Sequence, residues 1–153
     1  MIDRDKLNAA VEKALEIFVS LMPTMISSLR VKQHATGLEF TVGNPQLSER
    51  PISIFTEGGE IIVCFAGSDY HIADYDDRRT EAELVEDMIL GVAGIVGGHL
   101  EAYEWLNGDV TIARGLMPAG SHRGEQWLDG ADQFKVFTWE TCGDYTLSKP
   151  ITD

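Results

Sequence analysis

The sequence predicts an α+β domain: an antiparallel meander of about five to six strands with two main helices packed on one face, as one domain over residues 1–153. Three observations carry this reading. Short β-rich runs follow one another with only glycine-bearing turns between them, which favours antiparallel neighbours. Two longer stretches repeat apolar residues at the spacing of a half-buried helix. No stretch has the composition of a linker, a repeat or a low-complexity tract, so every element belongs around a shared core.

Asp3 or Asp5 can cap a first helix, in which Leu7, Val11, Leu15, Phe18 and Met22 form the apolar stripe and Ala14 and Leu21 widen it. Pro23 ends or kinks that helix, and residues 24–29 are expected to add at most one more turn. In residues 37–42, Leu38, Phe40 and Val42 alternate with Glu39 and Thr41, the pattern of a short strand. Gly43-Asn44-Pro45 breaks it, and a loop runs to Arg50.

Residues 52–56 and 60–66 are β-rich runs joined through Glu57-Gly58-Gly59. In the second run Ile61, Val63 and Phe65 share one face and Ile62, Cys64 and Ala66 the other, so it is placed near the sheet centre. Gly67-Ser68 reads as a bulge or bend. Beyond it Tyr70 and Ile72 alternate with Asp69 and His71, and Asp74, Asp76 and Asp77 close the segment. Thr80 and Glu83 stand at capping-box spacing and open a second helix, whose stripe is Leu84, Val85, Met88, Ile89 and Val92.

Gly91, Gly94, Gly97 and Gly98 admit two readings. They form a close-packing face in one helix reaching Leu106, or they end the helix with Gly97 or Gly98 as its left-handed cap. The second is favoured, because Asn107-Gly108 is a preferred hairpin dipeptide and Tyr103 and Trp105 suit a strand. Residues 110–116 return. Residues 117–132 are irregular and punctuated by Pro118, Gly120, Gly124 and Gly130. Residues 134–139 make a final strand, and a tail expected to fray follows.

Composition narrows the function. The chain carries 12 Lys and Arg against 25 Asp and Glu, a net charge of −13, with no Lys or Arg between Arg50 and Arg78 or between Arg79 and Arg114. Such a surface repels phosphate backbones and anionic lipid, which disfavours nucleic acid and membrane partners and leaves a basic protein as the natural one. The plain alternative is that the charge serves only solubility. No segment approaches the length of a membrane span, and Met1-Ile2-Asp3-Arg4-Asp5 lacks the basic start and apolar run of a signal peptide. Cys64 and Cys142 make no disulfide framework, and Cys64 is expected to be a small core residue. The expectation is a reduced, cytoplasmic protein.

The one dense cluster of possible ligands is Asp69, His71, Asp74, Asp76 and Asp77. A metal-dependent hydrolase using Asp69, His71 and Asp74 is the alternative reading, but the spacing fits no EF-hand loop and no His-Glu-x-x-His pair. No cofactor is expected. Histidines at 34, 71, 99 and 122 are scattered. Neither Ser68 with His71 nor Ser121 with His122 lies in a Gly-x-Ser-x-Gly elbow. The glycine run 91–98 follows a helix and has no Lys, Ser or Thr for phosphate, so it is no nucleotide loop.

Two further features suit a protein partner. Glu101, Tyr103 and Trp105 alternate on one strand face with Glu104 beside them, aromatics among carboxylates if nothing covers that face and core if something does. Trp127 lies in a loop with His122, Arg123, Glu125 and Gln126, where it is an anchor or folds back to plug the sheet. An oligomeric adaptor pairing through an edge strand at 134–139 is a third reading. Monomer and homodimer both stay open.

The runs Pro51–Ile61 and Tyr70–Tyr75, the amphipathic helix and Glu104-Trp105-Leu106-Asn107-Gly108-Asp109 together resemble small bacterial α+β proteins, some of which resemble immunity proteins encoded beside polymorphic toxins. The resemblance covers roughly the middle half of the chain and rests on strand pattern. It implies a cytosolic inhibitor without catalytic residues and transfers no binding residue by position. Charge and resemblance together give the expected function: a non-catalytic acidic protein that neutralises a basic partner such as a toxin. The expected contacts are Asp69, His71, Asp74, Asp76, Asp77, Glu101, Tyr103, Glu104, Trp105 and Trp127.

Overall fold

A computed structural model describes residues 1–121 and 126–151. The Asp3 carboxylate accepts from the backbone amides of Asp5 and Lys6 and so caps helix α1 (Arg4–Leu21). Leu7, Val11, Leu15 and Phe18 are its buried stripe. Leu21 does not widen it: Leu21 is 71% exposed, being the last helical residue and rotated off the core side. The chain turns at residues 23–25, without a further helical turn to Leu29, and continues as a strand where the sequence marked none.

That strand, β1 (Leu29–Gln33), opens a five-stranded antiparallel meander with β2 (Gly37–Val42), β3 (Ile52–Glu57), β4 (Glu60–Phe65) and β5 (Ser68–Ile72), paired in chain order. The α+β class and the five-stranded meander are therefore as the sequence predicts. Gly58 and Gly59 make the β3–β4 turn, both with positive φ, which an L side chain would strain. Ala66 and Gly67, also at positive φ, form a second two-residue turn where a bulge was expected.

One face of this sheet is apolar. Phe40, Val42, Ile52, Ile54, Ile61, Val63, Phe65 and Ile72 pack against the stripes of α1 and of α2 (Glu81–Val96), which contributes Leu84, Met88, Val92, Ile95 and Val96. The capping box at Thr80 forms. Its hydroxyl accepts from the Glu83 amide and the Glu83 carboxylate accepts from the Thr80 amide. Helix α2 stops at Gly97, and Gly98 takes the left-handed conformation just beyond, as the second glycine reading expected. Gly91 has its own reason: a Cβ there would lie 1.5 Å from the Tyr70 hydroxyl.

A second sheet, absent from the expected count, follows. It is antiparallel with strand order β7-β6-β8-β9, comprising β6 (Leu100–Asn107), β7 (Val110–Pro118), β8 (Gln133–Phe137) and β9 (Tyr145–Ser148). The β6–β7 turn is Gly108-Asp109, one residue later than the dipeptide rule suggests, and a bulge between Trp105 and Leu106 takes up the shift. The tail expected to fray is β9, held along β8 from Tyr145 to Ser148. Strand β8 is thus paired on both sides and presents no free edge for an oligomer.

Trp139 locks the two sheets together. It is 2% exposed, lies 6.1 Å from the Phe65 ring and donates from its indole nitrogen to the Met25 carbonyl at 2.8 Å. Asn44, itself buried, donates to the Trp139 carbonyl. Ala102, Leu100, Leu116 and Phe137 join the same core, so one side of the second sheet closes the end of the first core.

Candidate functional site

Strand alternation sends Tyr70 inward and Asp69 and His71 outward from β5. The outward His71 sits between two carboxylates. Its Nδ1 is 3.2 Å from Glu60 on the neighbouring strand, and its Nε2 is 3.1 Å from Asp69. Glu60, more than Asp69, raises the His71 pKa above the usual histidine value against the opposing effect of desolvation. Cys64 lies on this outward face, half-buried, not in the core as the sequence suggested. Burial, then the Asp69 and Glu39 charges, push its thiol pKa up.

The inward Tyr70 ends against α2. Its hydroxyl is buried without a hydrogen-bond partner among the described residues, and burial, helped by the Asp87 charge, pushes its pKa up to about 12. Past Ile72 the acidic connection folds on itself. One oxygen of Asp74 accepts from the amides of Arg78 and Arg79 at 2.9 Å, while the other is buried with no partner among the described residues. Desolvation works to raise the Asp74 pKa, but the Arg79 and Arg78 amides, the terminal ammonium and the Arg79 guanidinium outweigh it and hold the pKa below the ordinary range. Asp74 is a loop-shaping residue. Asp77, at positive φ, lies 2.5 Å from the terminal ammonium. Arg79 pairs with Asp87 on α2.

Between β5, this connection and α2 lies an open cleft of about 500 Å³, lined by His71, Asp74, Tyr75, Asp76, Asp87 and Leu90 among others. Tyr75 is 77% exposed and Leu90 64% exposed, large apolar groups held out of the core amid carboxylates. Sequence reasoning missed both, and also Arg79 and Asp87. A signal existed for Leu90, which lies off the α2 stripe of Leu84, Met88 and Val92. None existed for the Arg79–Asp87 pair, which depends on how the connection meets the helix.

The second expected group lies elsewhere. Glu101, Tyr103 and Trp105 do share one face of β6, and that face is covered. Trp105 is 8% exposed, packed at 4.4 Å centroid separation on Phe134 and edge-on to Trp127 at 5.1 Å. Met117, Ala131, Leu128 and Tyr145 complete this smaller core. Glu101 is buried at 6% exposure and accepts from the Gly120 amide at 2.5 Å, tying the irregular connection down over the sheet. Glu104 points to the opposite side, 3.6 Å from Arg114. Trp127 is half-buried and folds back onto the sheet. His122, Arg123 and Glu125 lie outside the described residues.

The expected residues therefore divide. His71, Asp74 and Asp76 line one cleft with Asp69 and Asp77 next to it in the chain, whereas Glu101, Tyr103 and Trp105 form the wall of a second core. Among the described residues no three of His, Cys, Asp and Glu are grouped to hold a metal ion. Asp69 and His71 meet, but Asp74 turns to its own loop amides, so the ligand set of the hydrolase reading does not converge. No helix among the described residues is long and apolar enough to cross a membrane. Comparison of the chain with protein-family models, with curated proteins and with solved structures finds no match.

Proposed function

We propose that this protein is a non-catalytic acidic binding protein that neutralises a basic protein partner, an inhibitor of the immunity type acting on a toxin in the cytoplasm. The observation that carries the reading is the cleft beside β5, where exposed Tyr75 and Leu90 stand among Asp76, Asp87 and His71. Exposed aromatic and aliphatic groups supply contact area, and surrounding carboxylates select and steer a cationic surface. The net charge of −13 adds long-range attraction for such a partner. Asp74 shapes the loop from within. Asp76, Asp87 and Tyr75 make the contacts.

The test is association with the product of the adjacent gene, followed by biolayer interferometry at about 50 mM and about 300 mM salt, where screening differs more than twofold in length. The expected result is an on-rate that falls with salt and falls at least tenfold for the Asp76→Lys, Asp87→Lys double variant. An on-rate indifferent to both salt and the double variant removes the cleft from the account.

A further inference from the structure

The helices cover only one face of the first sheet. The strand registers define what the other face displays. Arg30, Thr41, Ser53, Cys64 and Asp69 lie side by side in one row across β1 to β5, and Lys32, Glu39, Phe55, Ile62 and His71 form the next. Phe55 and Ile62 are direct cross-strand partners, so with Cys64 they make an apolar centre that is half-buried. The charges are sorted about that centre. Arg30 and Lys32, both exposed, stand on edge strand β1. Asp69 stands on edge strand β5 with Glu60 beside it on β4 and His71 between the two, while Glu39, next to Lys32, is paired with His34 at 2.6 Å. In a chain with twice as many acids as bases, neither cation forms an ion pair among the described residues.

We propose that this face packs against the same face of a second copy of the chain, in a dimer whose two-fold axis runs along β3. Turning one copy about that axis lays β1 over the β5 of the other. Arg30 then faces Asp69 and Lys32 faces His71, which sits between the Asp69 and Glu60 carboxylates, twice per dimer, while Phe55 on the central strand meets its own copy near the axis. An axis across the strands would instead set β1 over β1 and cation over cation. Aligned sheets cross at about 30°, so the outer strands slide by roughly one side-chain row, a distance that Arg and Lys can span.

The size of the face sets the strength. Five strands at about 4.8 Å and five to six residues at about 3.3 Å give roughly 400 Å² of flat face per copy. Two copies come to roughly 800 Å² before side-chain relief is added, below the roughly 1,200 Å² at which stable specific interfaces begin. The dimer is therefore a reversible one, in the micromolar range, and the cleft residues Tyr75, Asp76 and Leu90 lie outside it, while His71 borders both.

Sedimentation equilibrium of the full chain from about 2 to about 200 μM tests this. The expected result is a mass that rises from 16.9 kDa toward twice that value with concentration. Two charge-swapped variants decide the geometry: Arg30→Glu with Lys32→Glu, and Glu60→Lys with Asp69→Lys. Each alone sets like charges opposite each other and should weaken association at least tenfold. An equimolar mixture of the two restores both sets of pairs and should dimerise again, a recovery that misfolding of either variant cannot produce. A wild-type chain at monomer mass throughout, variants that dimerise as the wild type does, or a mixture that stays monomeric overturns the proposal. Binding to a basic partner at the cleft is measured separately and survives any of these results.

Discussion

The outer face of the first sheet and the Trp105 face of the second both place aromatic and apolar residues on the side of a sheet turned away from the main core. They end differently. Phe55 and Ile62 keep partial contact with solvent, while Trp105 is 8% exposed beneath the connection that carries Trp127, Leu128 and Ala131. The cause lies in the connections: residues 43–51 run toward the second sheet, where Asn44 and Arg50 donate to the Trp139 and Thr138 carbonyls. The turns Gly58-Gly59 and Ala66-Gly67 are too short to reach over the first sheet, whereas the chain between β7 and β8 brings its own apolar residues and a tether at Glu101. Period-2 alternation states which residues share a face. Whether the face is covered depends on what the neighbouring connections can reach.

The largest effect that tests this contrast is truncation of one aromatic on each face. Trp105→Ala should lower unfolding stability by about 3–5 kcal/mol through lost packing and the cavity left behind. Phe55→Ala, with little enclosing structure to leave empty, should lower it by less than about 1.5 kcal/mol in the monomer. Urea unfolding of the two variants, compared at low protein concentration, checks the ratio. Similar losses would mean that the two faces are equally enclosed.

Within β5 the same comparison runs across a single strand. On the inner side, Gly91→Ala places a Cβ 1.5 Å from the Tyr70 hydroxyl and should lower stability by about 1–3 kcal/mol by overpacking. Combining it with Tyr70→Phe removes the colliding oxygen and should recover a large part of the loss, because that hydroxyl has no hydrogen bond to forfeit. Thermal melts of the single and double variants supply the coupling, and simple additivity would refute the contact.

Smaller effects sharpen the picture of the outer side. Cys64, half-buried with its thiol pKa raised by burial and by the Asp69 and Glu39 charges, should react with a thiol reagent several-fold more slowly than exposed Cys142. Mass spectrometry after limited labelling reads this directly, and equal rates would contradict a half-shielded Cys64. The smallest effect is that of His71. Its pKa is raised in the folded chain by Glu60 and Asp69, so its protonated form adds stability below the unfolded value of about 6.5, and this is lost as pH rises through the folded value. His71→Gln should therefore lower stability slightly near pH 5.5 and leave it unchanged near pH 9. A variant equally destabilised at both values would show that His71 acts by packing instead of charge.

Much of this fold was legible because local chemistry and tertiary context agree. The Thr80–Glu83 box, the Gly58-Gly59 turn and the inward row Ile61, Val63 and Phe65 each say in sequence what they do in space. The departures occur where tertiary contacts decide. Strand β1 has Arg30, Lys32 and Gln33 exposed and no strong alternation of its own, and it is a strand because β2 offers it an edge. Strand β9 is set by its pairing with β8 in the same way. At the site, the sequence located the acidic connection but not its internal wiring. That Asp74 serves loop amides while Asp76 stays outside, and that Leu90 emerges beside Tyr75, depends on how residues 73–79 cross the start of α2.

The most direct measurement is the association rate of the Tyr75→Ala, Asp76→Lys double variant with the adjacent gene product, set beside wild type at low salt. Tyr75 is exposed and Asp76 makes no capping contact in the loop, so the variant should fold as the wild type does. The expected on-rate is at least tenfold lower, with a salt dependence shallower than that of the wild type. A rate and salt dependence equal to wild type would contradict it, because the acidic cleft beside β5 would then not be where a basic partner binds.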